Sequence, residues 1–163
     1  MASTFLYRTN GTASGTTKYT VSCWVKRSGL ATTQYLFNNY TDSNNSGSIW
    51  FDTSDKLNVV DELSSSTHLD LTTTAVYRDL SGWYNIVVSV DTTEGSSADR
   101  CKIYVNGVQE TAFDTATYPG SSANLGFQQA TAGDSCRIGA TFADADFFDG
   151  LMTHIHYIDA TAY

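Results

Sequence analysis

Residues 84–91 read Tyr-Asn-Ile-Val-Val-Ser-Val-Asp, and residues 101–106 read Cys-Lys-Ile-Tyr-Val-Asn. In the first run Tyr84, Ile86, Val88 and Val90 share one face, with Asn85, Val87, Ser89 and Asp91 on the other. In the second, Cys101, Ile103 and Val105 alternate with Lys102, Tyr104 and Asn106. Period-two alternation is what a strand needs when one of its faces meets a core. Asn106-Gly107 then supplies the positive φ angles of a two-residue type I′ turn. These runs therefore form an antiparallel hairpin followed at once by a turn into a third strand. The rest of the chain repeats the pattern, so the chain is a sheet protein.

At 163 residues the chain is read as a single domain, 1–163, able to bury roughly 70% of its unfolded surface. Charged residues make up 16% of it, below the usual quarter, and Thr, Ser, Gly and Asn fill the deficit. That composition suits strands and exposed turns and is poor material for surface helices. The net charge of −8 comes without a basic cluster, which repels phosphate and argues against nucleic acid as a partner. No apolar run approaches the roughly 20 residues that cross a bilayer, so no membrane insertion is expected. The first residues lack a basic stretch followed by an apolar one, so no signal peptide is expected either.

Taken in order, residues 5–8 are expected to form a short first strand and 18–26 a second. Further strands are expected at 35–38, 48–52, 56–60 and 68–72, then at the hairpin, then at 136–140 and 150–159. Residues 39–47 are read as a polar loop. Residues 111–133 are read as a long segment of low hydrophobicity, with Leu125 and Phe127 as its candidates for burial. About a dozen short strands with regular turn signals indicate an all-β fold, a two-sheet antiparallel sandwich or jelly roll. Cys23, Cys101 and Cys136 share no metal-ligand spacing and are expected to be small buried residues with free thiols. A Cys101–Cys136 disulfide stays open should their strands be neighbours.

Several stretches resemble laminin-G-like domains, in the right order. Residues 19–26, Tyr-Thr-Val-Ser-Cys-Trp-Val-Lys, resemble their early aromatic-Thr-x-Ser-x-Trp-Val-Lys strand. Trp83-Tyr84-Asn85-Ile86-Val87 resembles their Trp-x-His-Ile/Val-Val strand, and residues 102–107 resemble the x-Leu/Ile-Tyr-Val-Asn/Asp-Gly hairpin. Arg137-Ile138-Gly139 is similar to the Ile-Gly strand, and Phe148-Asp149-Gly150 to the closing Phe-x-Gly strand. The resemblance implies a concanavalin A-like jelly roll. The wording of residues 76–87, 105–111 and 147–159 is similar to domains of this type encoded by tailed phages of aquatic bacteria. His154 stands where those domains commonly have Glu, and Ala160 where they commonly have Gly.

The chemistry of this fold type includes glucan hydrolysis, which in retaining form needs two carboxyl groups about 5–5.5 Å apart. The Glu-x-Asp-x-x-Glu strand of such enzymes is absent. The glutamates, Glu62, Glu94 and Glu110, fall in or beside expected turns, so no catalysis is expected. Asp144, Asp146 and Asp149 lie close together in a loop and are candidate Ca²⁺ ligands, because Ca²⁺ favours clustered carboxylate oxygens. They compete with a reading as solvated turn residues. His154 and His156 lie two apart on one strand face with Met152 and Ile158, too few ligands for a closed metal site. Trp50, Tyr40 and Tyr118 lie in or beside polar loops, where aromatic faces can stack on sugar rings. Asn38, Asn39, Asn44 and Asn45 could supply amides nearby. Trp50, Tyr40, Asn39 and Asn44 are the candidate ligand-binding set, although Trp50 reads equally well as a core residue. The Asn-x-Ser/Thr sequences at Asn10, Asn39 and Asn44 carry no argument without a secretion signal.

What the resemblance implies is a protein on the surface of a phage virion; with the carboxylate run absent it is read as non-enzymatic, and a capsid decoration or cement protein is the leading reading. Its partners would then be the major capsid protein or other virion proteins. Self-association, a trimer among the expected forms, would run through an edge strand or through 111–133. The alternative is a carbohydrate- or receptor-binding module, at the tip of a tail fibre or as a free lectin, that binds host surface glycans.

Overall fold

The alternating runs become twelve strands in a computed structural model that describes residues 4–11, 14–128 and 135–163. In chain order they are β1 Leu6–Thr9, β2 Lys18–Arg27, β3 Gln34–Asp42, β4 Asn45–Phe51, β5 Lys56–Leu63 and β6 Ser66–Val76. There follow β7 Tyr84–Asp91, β8 Cys101–Val105, β9 Val108–Gln109, β10 Phe113–Thr117, β11 Ser135–Ile138 and β12 Gly150–Asp159. They form two antiparallel sheets packed as a sandwich. One has seven strands in the order β1-β11-β3-β4-β5-β6-β10, and the other has five in the order β12-β2-β7-β8-β9.

The core is the meeting of the two inner faces. Tyr19, Val21, Cys23 and Val25 of β2, Ile86, Val88 and Val90 of β7, and Ile103 of β8 face Phe37, Ile49, Phe51, Leu57, Val59, Leu69 and Leu71. The expected alternation in β7 and β8 therefore holds residue by residue. Asn106 and Gly107 adopt φ of 53° and 78°, the left-handed pair that a type I′ turn requires. Trp24 stands on the solvent side of β2, between the buried Cys23 and Val25.

Two polar stretches expected to be loops are strands instead. Residues 39–42 extend β3, and β4 starts at Asn45, so the connection is a tight turn held by Asp42, whose carboxylate accepts the Asn44 N–H at 2.7 Å and the Asn45 side-chain amide at 2.9 Å. Within 111–133, β10 pairs with β6 at the edge of the seven-stranded sheet, with Thr115 opposite Thr72. Its outward residues are polar because that face meets solvent, so hydropathy gives no sign of a strand. Leu125 and Phe127 are buried, as expected.

Each end of the sandwich is closed by a buried polar device. At one end Arg27, fully buried, donates to the Asp55 carboxylate at 3.0 Å, to the Tyr77 carbonyl at 2.7 Å and to Gln34 at 3.3 Å. At the other, both oxygens of the buried Asp61 accept backbone N–H groups at 2.7 Å, one from Gly126 and one from Phe127. This pins a short 3-10 turn, Gly126–Gln128, under β3, β4 and β5. The Phe127 ring stacks on Tyr19 with centroids 4.8 Å apart. Gly47 is glycine for a reason here, because an added Cβ would sit 2.2 Å from the Phe127 ring.

The cysteines are free. Cys101 and Cys136 lie in different sheets, β8 and β11, which removes the open disulfide alternative. In β12 a bulge falls between Thr153 and His156, with His154 at φ 48°. The bulge shifts the alternation by one, so Met152 and Ile155 pack on the core and the two histidines do not share a regular face with Met152 and Ile158.

Candidate functional site

A bulge in β3 decides which of its polar residues look outward. The register against β4 shifts between Tyr35 and Phe37, so Leu36 and Phe37 are both buried and the order beyond them is fixed. Asn38 and Tyr40 look out from the sandwich, and Asn39 looks in. On the outer face Tyr35 lies opposite Trp50, Asn38 opposite Ser48, and Tyr40 opposite Ser46, with Glu62 of β5 next to Ser46.

The loop between β11 and β12 folds over this face. The Phe142 N–H donates to the Asn38 side-chain oxygen at 2.8 Å, and the Phe142 ring lies flat on Tyr40, centroids 3.6 Å apart and planes 6° from parallel. Asn38 also donates from its amide to the Ser48 hydroxyl at 2.9 Å. With both ends of its amide committed, Asn38 positions Phe142 and Ser48 rather than reaching a ligand itself. The result is a hollow of about 280 Å³ lined by Tyr35, Tyr40, Ser46, Ser48, Glu62 and Phe142, among others. That is near the lower bound for ligand pockets, the scale of a single ring. Phe142 stays 44% exposed, so an aromatic surface is open to solvent at its rim.

The candidate residues separate as follows. Tyr40 lines the hollow. Trp50 is on the same outer face, half-buried, with its ring stacked on Tyr35 at 5.3 Å; Ile49 and Phe51 take the core positions beside it. Asn39 is on the other side of the sheet, 5% exposed, and its amide donates to the Phe127 carbonyl. Asn44 lies in the β3–β4 turn, where its side-chain oxygen accepts from the Ser65 hydroxyl at 2.8 Å, and it does not line the hollow. The three aspartates do not converge. Asp144 pairs with Arg137, Asp146 accepts the Tyr35 N–H through its backbone carbonyl at 3.0 Å, and Asp149 accepts the Ser28 N–H likewise at 2.8 Å. Among the described residues no group of three or more His, Cys, Asp or Glu side chains is arranged to hold a metal.

Tyr35, Ser46, Ser48 and Phe142 are among the lining residues that sequence reading passes over, and Glu62 is weighed there only as a catalytic carboxylate. Glu62, expected beside a turn, lies in β5 on the outer face. Burial, followed by the carboxylates of Asp146 and Glu62, pushes the Tyr35 phenol up from its ordinary range, which keeps it a neutral hydrogen-bond donor.

The model for the concanavalin A-like lectin/glucanases superfamily, of laminin G type, matches residues 4–161. The chain belongs to this superfamily. No curated protein matches the chain. Among solved structures, this superfamily member is similar to domain 4 of AbnA, an extracellular arabinanase of Geobacillus stearothermophilus solved with arabinotriose, at 23% identity and a TM-score of 0.65. The match covers 91% of this chain and 63% of that one, so the chain spans less than two thirds of its length. A heptameric SAP-like pentraxin of Limulus polyphemus is similar at 18% identity and a TM-score of 0.61, covering 93% and 68% of the two chains. The CBM40 module of the Ruminococcus gnavus IT-sialidase, solved with α2,6 sialyllactose, is similar at 13% identity and a TM-score of 0.55, covering 92% and 88%. At these identities the likeness is one of fold.

Proposed function

We propose that this chain is a non-catalytic carbohydrate-binding module whose site is the hollow on the outer face of the seven-stranded sheet. The observation that carries the reading is the Tyr40–Phe142 stack, held in place by Asn38 and set beside Glu62 and the Ser46 and Ser48 hydroxyls. An aromatic face takes the C–H side of a sugar ring, and convergent polar groups take its hydroxyls, the usual composition of a small-ligand site. Two solved structures of similar fold hold oligosaccharides, arabinotriose and sialyllactose, which supports the reading. A glycan array followed by calorimetry on the full chain tests it. Saturable binding should fall about tenfold or more in Phe142→Ala and Tyr40→Ala, the cost expected for an aromatic anchor. It should be unchanged in Trp24→Ala, whose ring is 41% exposed on the other sheet. Absence of binding across the array, with and without Ca²⁺, would end the reading.

A second reading concerns where such a module works. The wording of residues 76–87, 105–111 and 147–159 favours the surface of a phage particle, as a head decoration bound to the capsid protein or as part of a tail appendage. Many copies on one particle would turn weak single-site sugar binding into avidity. Quantitative mass spectrometry of purified particles separates the cases. Copy numbers comparable with the capsid protein mean a decoration, a handful mean an appendage, and absence removes the virion reading.

A further inference from the structure

The hollow carries one fixed charge, and it is negative. Of the described side chains that line it, Glu62 is the only carboxylate, and none is basic. Among the described residues, the cations Arg137 and Lys56 on this face are each paired with a carboxylate. Arg137 gives one guanidinium nitrogen to the Asp144 carboxylate and to the Thr141 and Phe142 carbonyls, while its plane lies over the Phe5 and Tyr7 rings. Lys56, on β5, pairs with Asp114. Asp146, whose backbone carbonyl accepts the Tyr35 N–H at 3.0 Å, does not line the hollow. Glu62 itself spends little of its hydrogen-bonding capacity inside the protein, with the Ser46 hydroxyl 3.5 Å from one oxygen. Its carboxylate is an acceptor left to a ligand.

A ligand that fits this lining must donate hydroxyl protons to Glu62 and must bring no negative charge of its own. We infer that the site selects uncharged sugar rings and excludes carboxylated or sulfated ones, and that Glu62 is the residue that sets this selection. The inference rests on the sugar-binding reading and names the class of sugar within it. The neutral ring packs against the Tyr40–Phe142 stack while its hydroxyls donate to Glu62. The same ring carrying a carboxylate places like charges together in a partly enclosed site, where repulsion is strong.

The test uses matched probes. Neutral oligosaccharides are measured by calorimetry against acidic counterparts, namely lactose against sialyllactose and methyl-esterified against de-esterified galacturonate oligomers. Within any pair that binds, the neutral member should bind about tenfold or more tightly, and raising the salt concentration should narrow the gap by screening the repulsion on the acidic member. Glu62→Gln should narrow it further, weakening the neutral member and strengthening the acidic one. Equal or tighter binding of the acidic member by the unaltered chain would overturn the inference and leave the sugar-binding site standing. A gap unmoved both by salt and by Glu62→Gln would remove Glu62 as its cause. No binding of any saccharide would overturn the site and the selection together.

Discussion

Asp61 and Glu62 are neighbours in sequence with opposite fates. Asp61 faces inward, its two oxygens holding two backbone N–H groups, while Glu62 faces the hollow. In Asp61→Asn one carboxylate oxygen becomes an amide that donates, so one of the two N–H groups loses its acceptor. A buried donor left unpaired costs about 1–3 kcal/mol, and urea unfolding at pH 5 should show a loss in that range. Arg27 is the corresponding residue at the other end. Breaking a buried ion pair by removing one partner costs about 3–5 kcal/mol. Asp55 would still keep Arg78 at 2.9 Å and the Ala31 N–H at 2.9 Å. Arg27→Ala should therefore fall near the lower end of that range, and an effect below about 1 kcal/mol would show that the pair matters little to folding. Neither role was legible beforehand. Alternation puts Asp61 on the same face as Leu57 and Val59, but a lone inward carboxylate declares its partners only when the turn at Gly126 arrives from 65 residues away.

Among the elements, those with one apolar face were readable and those with two polar faces were not. β2, β7 and β8 show their alternation openly. The outer half of β3 and most of β10 beyond Phe113 carry Asn, Thr, Tyr and Asp, and their strand character comes from pairing with neighbours, a long-range property. The β3 bulge had no local signal either, and it is the bulge that sends Tyr40 to the hollow and Asn39 to the interior. The candidate site was therefore half legible. An aromatic on a polar stretch was visible, but its partner Phe142 reaches it from a loop about a hundred residues later. The 3-10 turn behind the sheet supports the same region, because Phe127 fills the space over Gly47. Phe127→Ala should cost about 3–5 kcal/mol in thermal or denaturant unfolding. Gly47→Ala displaces the same ring, so the double variant should lose less than the sum of the two single losses. Strict additivity would mean that the ring is not the shared element.

Across the described residues the buried and part-buried carboxylates Asp61, Asp55 and Asp91 divide into two classes with opposite pH dependence. Burial raises Asp61 to about 7, the two N–H bonds offsetting it only in part. In the unfolded chain the same group titrates near its ordinary value of about 3.9. Between those values the folded state binds the extra proton, so stability rises as pH falls, by on the order of 1 kcal/mol per pH unit. Asp55 and Asp91 behave in the reverse sense. For each of them burial pulls upward but is outweighed by hydrogen bonds, from Ala31, Arg78 and Arg27 to Asp55 and from Lys18 and Thr93 to Asp91, so their titration in the folded state lies below the usual range. Their contribution is present above the unfolded value and is lost as pH falls through the lowered one. The net charge of −8 adds to the first trend, since protonation on the way down relieves self-repulsion. Stability measured by urea unfolding should therefore climb from pH 8 to a maximum near pH 5 and fall steeply below about pH 4. In Asp61→Asn the climb should flatten while the acid limb stays where it is. A wild-type profile flat from pH 8 to pH 5 would mean that Asp61 stays ionised, its two N–H bonds outweighing burial, and the latch on Phe127 would then be indifferent to pH.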